Sequence, residues 1–461
     1  MHIIFRKDTL RMFFFFSYFM STIIDMKEVA KQDAVLKVMV TDLSGGFKEI
    51  ISHTSRLPEV CKVGMAYDGS SFSGINQINA SDAILMGNPE TLVQVPQRLA
   101  DTEKPEYMII CNIHTTDGKP HPNCARSQLV RLQKDLAKVW SGGNMYMGSE
   151  PEAYFIHQEK GYTEGDGNSN YFNPKDPKTF IITEIANTLD EMGFVMERAH
   201  TEVGDDQFEC NWQFDKAERT ADKIQYFKLI AHKIAREYGY DVTFLPKPYP
   251  GRNGSGMHCH ISVQNDKQNL FYDAKSKEMG FSETALQFLT GVLEHSRAIS
   301  AIANSTEVSY SRLVPGFEAP CIVAIGSCNR SAACRVPAIA DEKVRSKAIR
   351  AEFRYPDPLA NPYLLACGFI AAGMDGVEKK AKFLGFTNEN LYALDLAGIR
   401  KKGFTMLPRN LWEAYNEYTS DKVLAKKFGP MFDSHADIIL EEIEECQPFA
   451  NTRSMDKHYY A

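Results

Sequence analysis

Gly256-Met257-His258-Cys259-His260-Ile261-Ser262-Val263 is the stretch on which the reading of this chain turns. In a β-strand the side chains at i and i+2 share a face. Met257, Cys259, Ile261 and Val263 therefore make an apolar face, and His258, His260 and Ser262 make the opposite one. Other segments alternate in the same way. Ile349, Ala351, Phe353 and Tyr355 oppose Arg350, Glu352 and Arg354, while Phe208, Cys210, Trp212 and Phe214 oppose Glu209, Asn211 and Gln213. Glu150-Pro151-Glu152 puts both carboxylates on one side. Each strand taken singly reads as part of a sheet with one solvated face. Together they describe a sheet that lines a charged cleft.

The chemistry of that face is specific. Glu150, Glu152, Glu209, Glu352 and, from the preceding loop, Glu202 repel one another unless something positive sits among them. Oxygen donors with an occasional imidazole suit magnesium or manganese rather than zinc. Arg350 and Arg354 suit a phosphate or carboxylate held bidentately. His258 taken alone reads as a structural histidine. No G-x-x-x-x-G-K-[ST] loop occurs, and Gly254-Ser255-Gly256 lacks the third glycine of a dinucleotide fingerprint. Because it leads directly into the histidine strand, its backbone amides are expected close to ligand.

Outward from these strands the chain reads as α+β. Short β-like runs (Val35–Thr41, Tyr107–Ile113) mix with polar loops up to about Cys124, among them Asp68-Gly69-Ser70-Ser71. Helical spacing predicts helices over Arg126–Trp140, Thr179–Met192, Glu218–Tyr238, Ser282–Asn304 and Asn361–Leu384. Asn144–Gln158 reads as a strand and Gly161–Pro177 as a loop. With 461 residues the chain exceeds one ordinary core. The expected division is an N-terminal extension (1–25), a small domain (26–123) and a large C-terminal α+β domain (124–461). Apolar and charged contents of 44% and 24% are those of a soluble globular protein, and a net charge of −7 argues against nucleic acid as partner. Arg6, Lys7 and Arg11 precede the apolar run Met12–Met20 as in a signal peptide, but the run is too short to span a bilayer and no A-x-A-like site follows. Ten cysteines without a C-x-x-C pair read as reduced thiols of a cytoplasmic protein, with no membrane partner.

In order along the chain, Asp68-Gly69-Ser70-Ser71, Glu150-Pro151-Glu152, Glu202-Val203 with Gln207 and Glu209, and Asn253 to His260 resemble the glutamine synthetase family. Arg312 to Pro320, Asn329-Arg330-Ser331-Ala332 and Glu352 to Pro358 continue the resemblance. It implies a β-grasp-like N-terminal domain and a catalytic domain with a curved antiparallel sheet. It implies ATP-dependent ligation of ammonia to L-glutamate through γ-glutamyl phosphate, with two or more Mg2+ (or Mn2+) per active site. One metal would be held by Glu152, Glu202 and Glu209, another by Glu150, His258 and Glu352. Glutamate would meet Asn253, Gly254, Arg312, Glu318 and Arg354. ATP would meet Glu197, Phe214, His260, Ser262, Arg330, Arg335, Lys347 and Arg350. Asp68 and Ser71 would bind ammonium in a neighbouring subunit's site, Glu318 would sit in a flap over the intermediate, and Arg330 beside the transferred phosphoryl group. A homo-oligomer, a dodecamer of two hexameric rings with shared sites, is implied as well.

Departures leave regulation open. Asp206-Gln207 stands where bacterial type I members often have Gly-Gln, and Gln77 where feedback-controlled members carry arginine. Tyr392 aligns with a tyrosine adenylylated in one subgroup but is read as a packing residue. The rival readings are a ligase of glutamate with a polyamine or ethanolamine, and a catalytically inactive structural relative.

Overall fold

The structure, a computed structural model, describes residues 24–161, 171–339 and 341–458. The expectation for the N-terminal extension, apart from residues 24 and 25, lies outside the described residues, as does 162–170 of the loop read at Gly161–Pro177.

β1 (Val35–Thr41), β2 (Phe47–His53), β3 (Met65–Asp68), β4 (Asp82–Gly87), β5 (Val93–Val95) and β6 (Glu106–His114) form the first sheet. Its order is β2-β1-β6-β4-β3, with β5 also on β6. β1 runs parallel to β6 and antiparallel to β2. Every β1 residue from Leu36 onward is buried, so the strand is apolar throughout apart from Lys37 and Thr41. Glu106 at 3.0 Å, Glu49 at 3.6 Å and Asp101 surround the Lys37 ammonium, the partners a buried cation requires.

The second sheet carries β7 (Asn144–His157), β8 (Met196–Thr201), β9 (Gln207–Trp212), β10 (Asp215–Lys216), β11 (Tyr240–Thr243) and β12 (Met257–Gln264). It continues with β13 (Ile322–Ser327), β14 (Ala332–Val336), β15 (Ala351–Phe353) and β16 (Thr405–Met406). Its order is β16-β13-β14-β15-β12-β7-β9-β8, with β10 and β11 also on β7. β7 is the spine: Asn144 to Pro151 pair with β12, Glu152 to Tyr154 with β9, and Tyr154 to His157 with β11. The sheet is mixed rather than wholly antiparallel. β13 and β14 run parallel, joined by Cys328–Ser331, with Cys328 at a φ of 52°.

Helix Pro362–Glu378 is apolar on nearly all sides and buried between the helices Glu283–Glu294 and Ala125–Val139. It crosses Glu283–Glu294 at glycines, where a Cβ on Gly376 would lie 2.1 Å from the Gln287 carbonyl. Two predicted helices differ in extent. Ser282–Asn304 breaks at His295 into Glu283–Glu294 and Ser296–Ala303, since His295 turns to Asp375 and Asp421. The helix expected to reach Leu384 stops at Glu378, with Lys380 at a φ of 54°. The cysteines are unpaired and mostly buried, Cys328 being exposed. Among the described residues no helix is long and apolar enough to cross a membrane.

Candidate active site

Strand register builds the cleft. His258 of β12 faces Glu150 of β7, and His260 of β12 faces Glu352 of β15. Glu152 of β7 faces Glu209 of β9, which in turn faces His200 of β8, and Arg335 of β14 faces Glu352. Facing residues project to the same side, so one row of charge crosses the sheet. On the other side Met257, Cys259, Phe353, Phe208 and Cys210 are fully buried in the core. The apolar half of each strand fixes the register that aligns the charged half.

The row opens into a cavity of about 320 Å³, and a chamber of about 210 Å³ adjoins it across Glu150, Arg198, His260 and Arg350. The larger space is lined by the six predicted metal ligands together with Asn253, Gly254, Arg312, Glu318, Arg330, Arg335, Arg350 and Arg354. Glu197, Phe214, Ser262 and Lys347 line the smaller one. Phe214 differs from its strand reading. β9 ends at Trp212, so Phe214 leaves the apolar face, and it is 45% exposed at the chamber wall.

Three groups of ligand atoms lie within 4.8 Å of one another: Glu150, His258 and Glu352; Glu152, Glu209 and His258; His200, Glu202 and Glu209. Burial and the Glu209 charge push Glu152 up to about 8, and burial with Glu152 and Glu209 pushes Glu202 up to about 9. A divalent cation would relieve that repulsion, and carboxylates with an imidazole are the donors a hard cation takes, so these residues fit it. Burial also opposes ionisation of Glu352, but His260, Arg354, His258 and Arg335 outweigh it and hold it at about 2. Arg335 and Arg354 each donate to Glu352 at 2.5 Å.

Gly254 and Gly256 make room for Arg312. A Cβ on Gly256 would lie 2.5 Å from Nη2 of that arginine. Arg312 donates to the carbonyls of Tyr355 at 2.8 Å, Arg354 at 3.0 Å and Pro356 at 3.2 Å. Much of its donor capacity therefore holds the Arg354–Pro356 backbone. The amide expected near ligand at Gly256 donates at 2.9 Å to Glu152 Oε2, where Gln207 Nε2 also donates at 3.1 Å. Gln207 is 2% exposed and aims the carboxylate.

Asp68 and Ser71 are not brought to this cleft. Asp68 is exposed in the first sheet, accepting from the Ser70 amide at 3.0 Å and the Ser71 hydroxyl at 2.9 Å. Tyr392, read as a packing residue, is 37% exposed, and its hydroxyl donates at 3.2 Å to the carbonyl of Arg330. It steadies a cleft loop, because its short turn lies beside Ser331 rather than in the core. The sequence reading missed Arg198, which donates to Glu150 at 3.0 Å, and His200, 3.3 Å from Glu209. Their i, i+2 spacing ahead of Glu202 is the same signal used on the other strands.

An acidic face rich in hard oxygen donors, ringed by arginines and opening into a second chamber, offers the donors and charge of the metal-dependent phosphoryl-transfer class. Residues 122–457 match the glutamine synthetase catalytic domain, and residues 33–116 match the glutamine synthetase β-grasp domain. Glutamine synthetase of Methanocaldococcus jannaschii is 38% identical over 81% of this chain and 82% of its own length. That of Pyrococcus abyssi is 36% identical over 92% and 93%. A solved GmaS/ADP complex has the same fold, with a TM-score of 0.81 over 92% of this chain and 96% of that one at 24% identity. This chain belongs to the glutamine synthetase family, whose members use ATP and a divalent metal.

Proposed function

We propose that this enzyme makes L-glutamine from L-glutamate, ammonium and ATP through γ-glutamyl phosphate, with two or more magnesium or manganese ions in each site. The observation that carries the reading is the cross-strand row from Arg335 through Glu352, His260, His258, Glu150, Glu152 and Glu209 to His200, which opens into two joined chambers. Glu152, Glu202 and Glu209 would hold one cation, and Glu150, His258 and Glu352 another. Such cations neutralise charge on a transferring phosphoryl group. Glu197, Phe214, His260, Ser262, Lys347 and Arg350 would bind ATP, while Arg330 and Arg335 would meet its transferred end. Asn253, Gly254, Arg312 and Arg354 would seat glutamate.

A carboxylate is a poor electrophile and must be phosphorylated before an amine attacks it. Glu318 would take the proton that ammonium gives up, and its segment would shield the acyl phosphate from water. Asp68 and Ser71 would bind ammonium in a neighbouring copy. Both lie outside this chain's own cleft, which is consistent with a site shared between copies, and the resemblance extends this to a dodecamer of two hexameric rings. The division at residues 26–123 and 124–461 belongs to the same reading, supported by the two separate sheets.

The test is ADP release by the purified enzyme with ATP, glutamate and magnesium, comparing ammonium with putrescine and ethanolamine. Ammonium-dependent glutamine formation is expected. Turnover with an amine and none with ammonium would move the assignment to an amine ligase, and no turnover with any acceptor to an inactive relative.

A further inference from the structure

Phe317 and Glu318 lie between the helix Glu307–Arg312 and β13, and they wall one side of the cleft. Two contacts hold them there. Asn253 Nδ2 donates to Glu318 Oε2 at 3.1 Å, and the Lys247 ammonium stands 3.6 Å from the centre of the Phe317 ring. Lys247 is 7% exposed and also donates to the carbonyl of Arg252, in the loop that carries Asn253 and Gly254. Burial and the Arg312 guanidinium both work against its charge, pressing it down to about 8. The ring face and the carbonyl are what retain the cation, and a desolvated cation over an aromatic face is a strong contact.

The segment needs such an anchor. Glu318 has a φ of 61° and Gly316 a φ of 96°. A non-glycine residue in the left-handed region persists only where tertiary contacts hold it. Phe317, between these two positions, is the side chain the lysine grips.

We propose that Lys247 is a positioning residue, a latch that keeps the Phe317–Glu318 segment closed over the acyl phosphate; this rests on the function proposed above. With the latch lost, water reaches the carbonyl carbon of γ-glutamyl phosphate. A carbon–oxygen bond to water forms, the carbon–oxygen bond to phosphate breaks, phosphate leaves with the electron pair, and the proton from water passes to solvent. Glutamate is regenerated, and the net reaction is hydrolysis of ATP to ADP and phosphate. The signature is ADP made without glutamine.

Full-length Lys247→Met, Lys247→Arg and Phe317→Leu enzymes are assayed with ATP, glutamate, magnesium and ammonium while ADP and glutamine are measured together. Wild type is expected to give about one ADP per glutamine, and Lys247→Met and Phe317→Leu roughly three or more. Lys247→Arg keeps a cation on the ring and is expected to stay below about two. A ratio near one in Phe317→Leu, or in folded Lys247→Met, overturns the latch even where kcat falls. Phe317 is partly exposed, so Phe317→Leu decides the matter where Lys247→Met does not fold. Wild type that makes no glutamine overturns the functional reading instead, a result distinct from uncoupling.

Discussion

Gly254 tests most directly how the cleft is held. A Cβ there would lie 2.5 Å from the Pro246 carbonyl oxygen and 2.6 Å from Cγ of Arg312. Ordinary contact begins near 3.4 Å, so something must move by about 0.9 Å. Neither neighbour yields easily. The Pro246 carbonyl accepts from the Ser255 amide at 2.9 Å, and the guanidinium of Arg312 is tied to backbone carbonyls. The displacement therefore passes to Asn253 and to the Glu318 carboxylate it holds. Misplacing a binding group by about 1 Å costs on the order of 100-fold in rate. Gly254→Ala should lower kcat/KM for glutamate by about 30- to 100-fold, or roughly 2–2.7 kcal/mol of transition-state stabilisation. Overpacking should also remove about 1–3 kcal/mol of stability. Gly251 is the control, since it lies in the same loop and a Cβ there meets nothing within 4 Å. Gly251→Ala should stay within about twofold of wild type. Initial rates of ADP release against glutamate, with thermal unfolding of each variant, give both numbers. Gly254→Ala within threefold of wild type, whatever its Tm, would refute the claim that this close approach positions the glutamate side of the cleft.

Further predictions concern metal and pH. Magnesium in excess should raise the Tm of the wild-type enzyme, since a ligand at 100 times its Kd adds about 2.7 kcal/mol, and Glu209→Gln should abolish most of that rise; an undiminished rise would show that the cation binds elsewhere. His295 lies between Asp421 at 2.5 Å and Asp375 at 3.1 Å; burial opposes its charge, but the two carboxylates outweigh it and raise its pKa. A raised folded pKa gives stability that is fully present below about pH 6.5 and is lost as pH rises through the folded value. His295→Gln should therefore remove about 1–2 kcal/mol of the stability difference between pH 6 and pH 9, and an unchanged difference measured by denaturant unfolding would exclude this bridge.

What was legible in the sequence is what depends on near neighbours. Alternation within β12 and β15 assigns His258, His260 and Glu352 to the cleft face because the pleat enforces it, and Arg354, one residue past β15, still lines the cleft. Their fully buried opposite faces leave no other register open. Phe214 was misread for the same reason in reverse. The sequence keeps alternating two residues past Trp212, where the backbone stops being a strand. The break at His295 was invisible because its causes are distant in sequence, Asp375 in the helix Pro362–Glu378 and Asp421 at the junction of two later helices. Helical spacing alone runs straight through it.

The site's supporting groups were hidden by a different limit. Gln207, Arg198 and Lys247 meet groups set by tertiary packing, among them the Glu152 carboxylate, the Glu150 carboxylate and the Phe317 ring. No local pattern marks a lysine that faces an aromatic ring seventy positions later in the chain. Asp68 goes a step further. Among the described residues it accepts from Ser70 and Ser71 and lies open to solvent. Binding ammonium in a second copy, the role proposed for it above, would make the amide-forming step depend on two chains, while the proposed ATP and metal residues line one chain's own cleft. Purified monomer should therefore bind ATP yet form no glutamine, and returning activity should track reassembly rather than refolding.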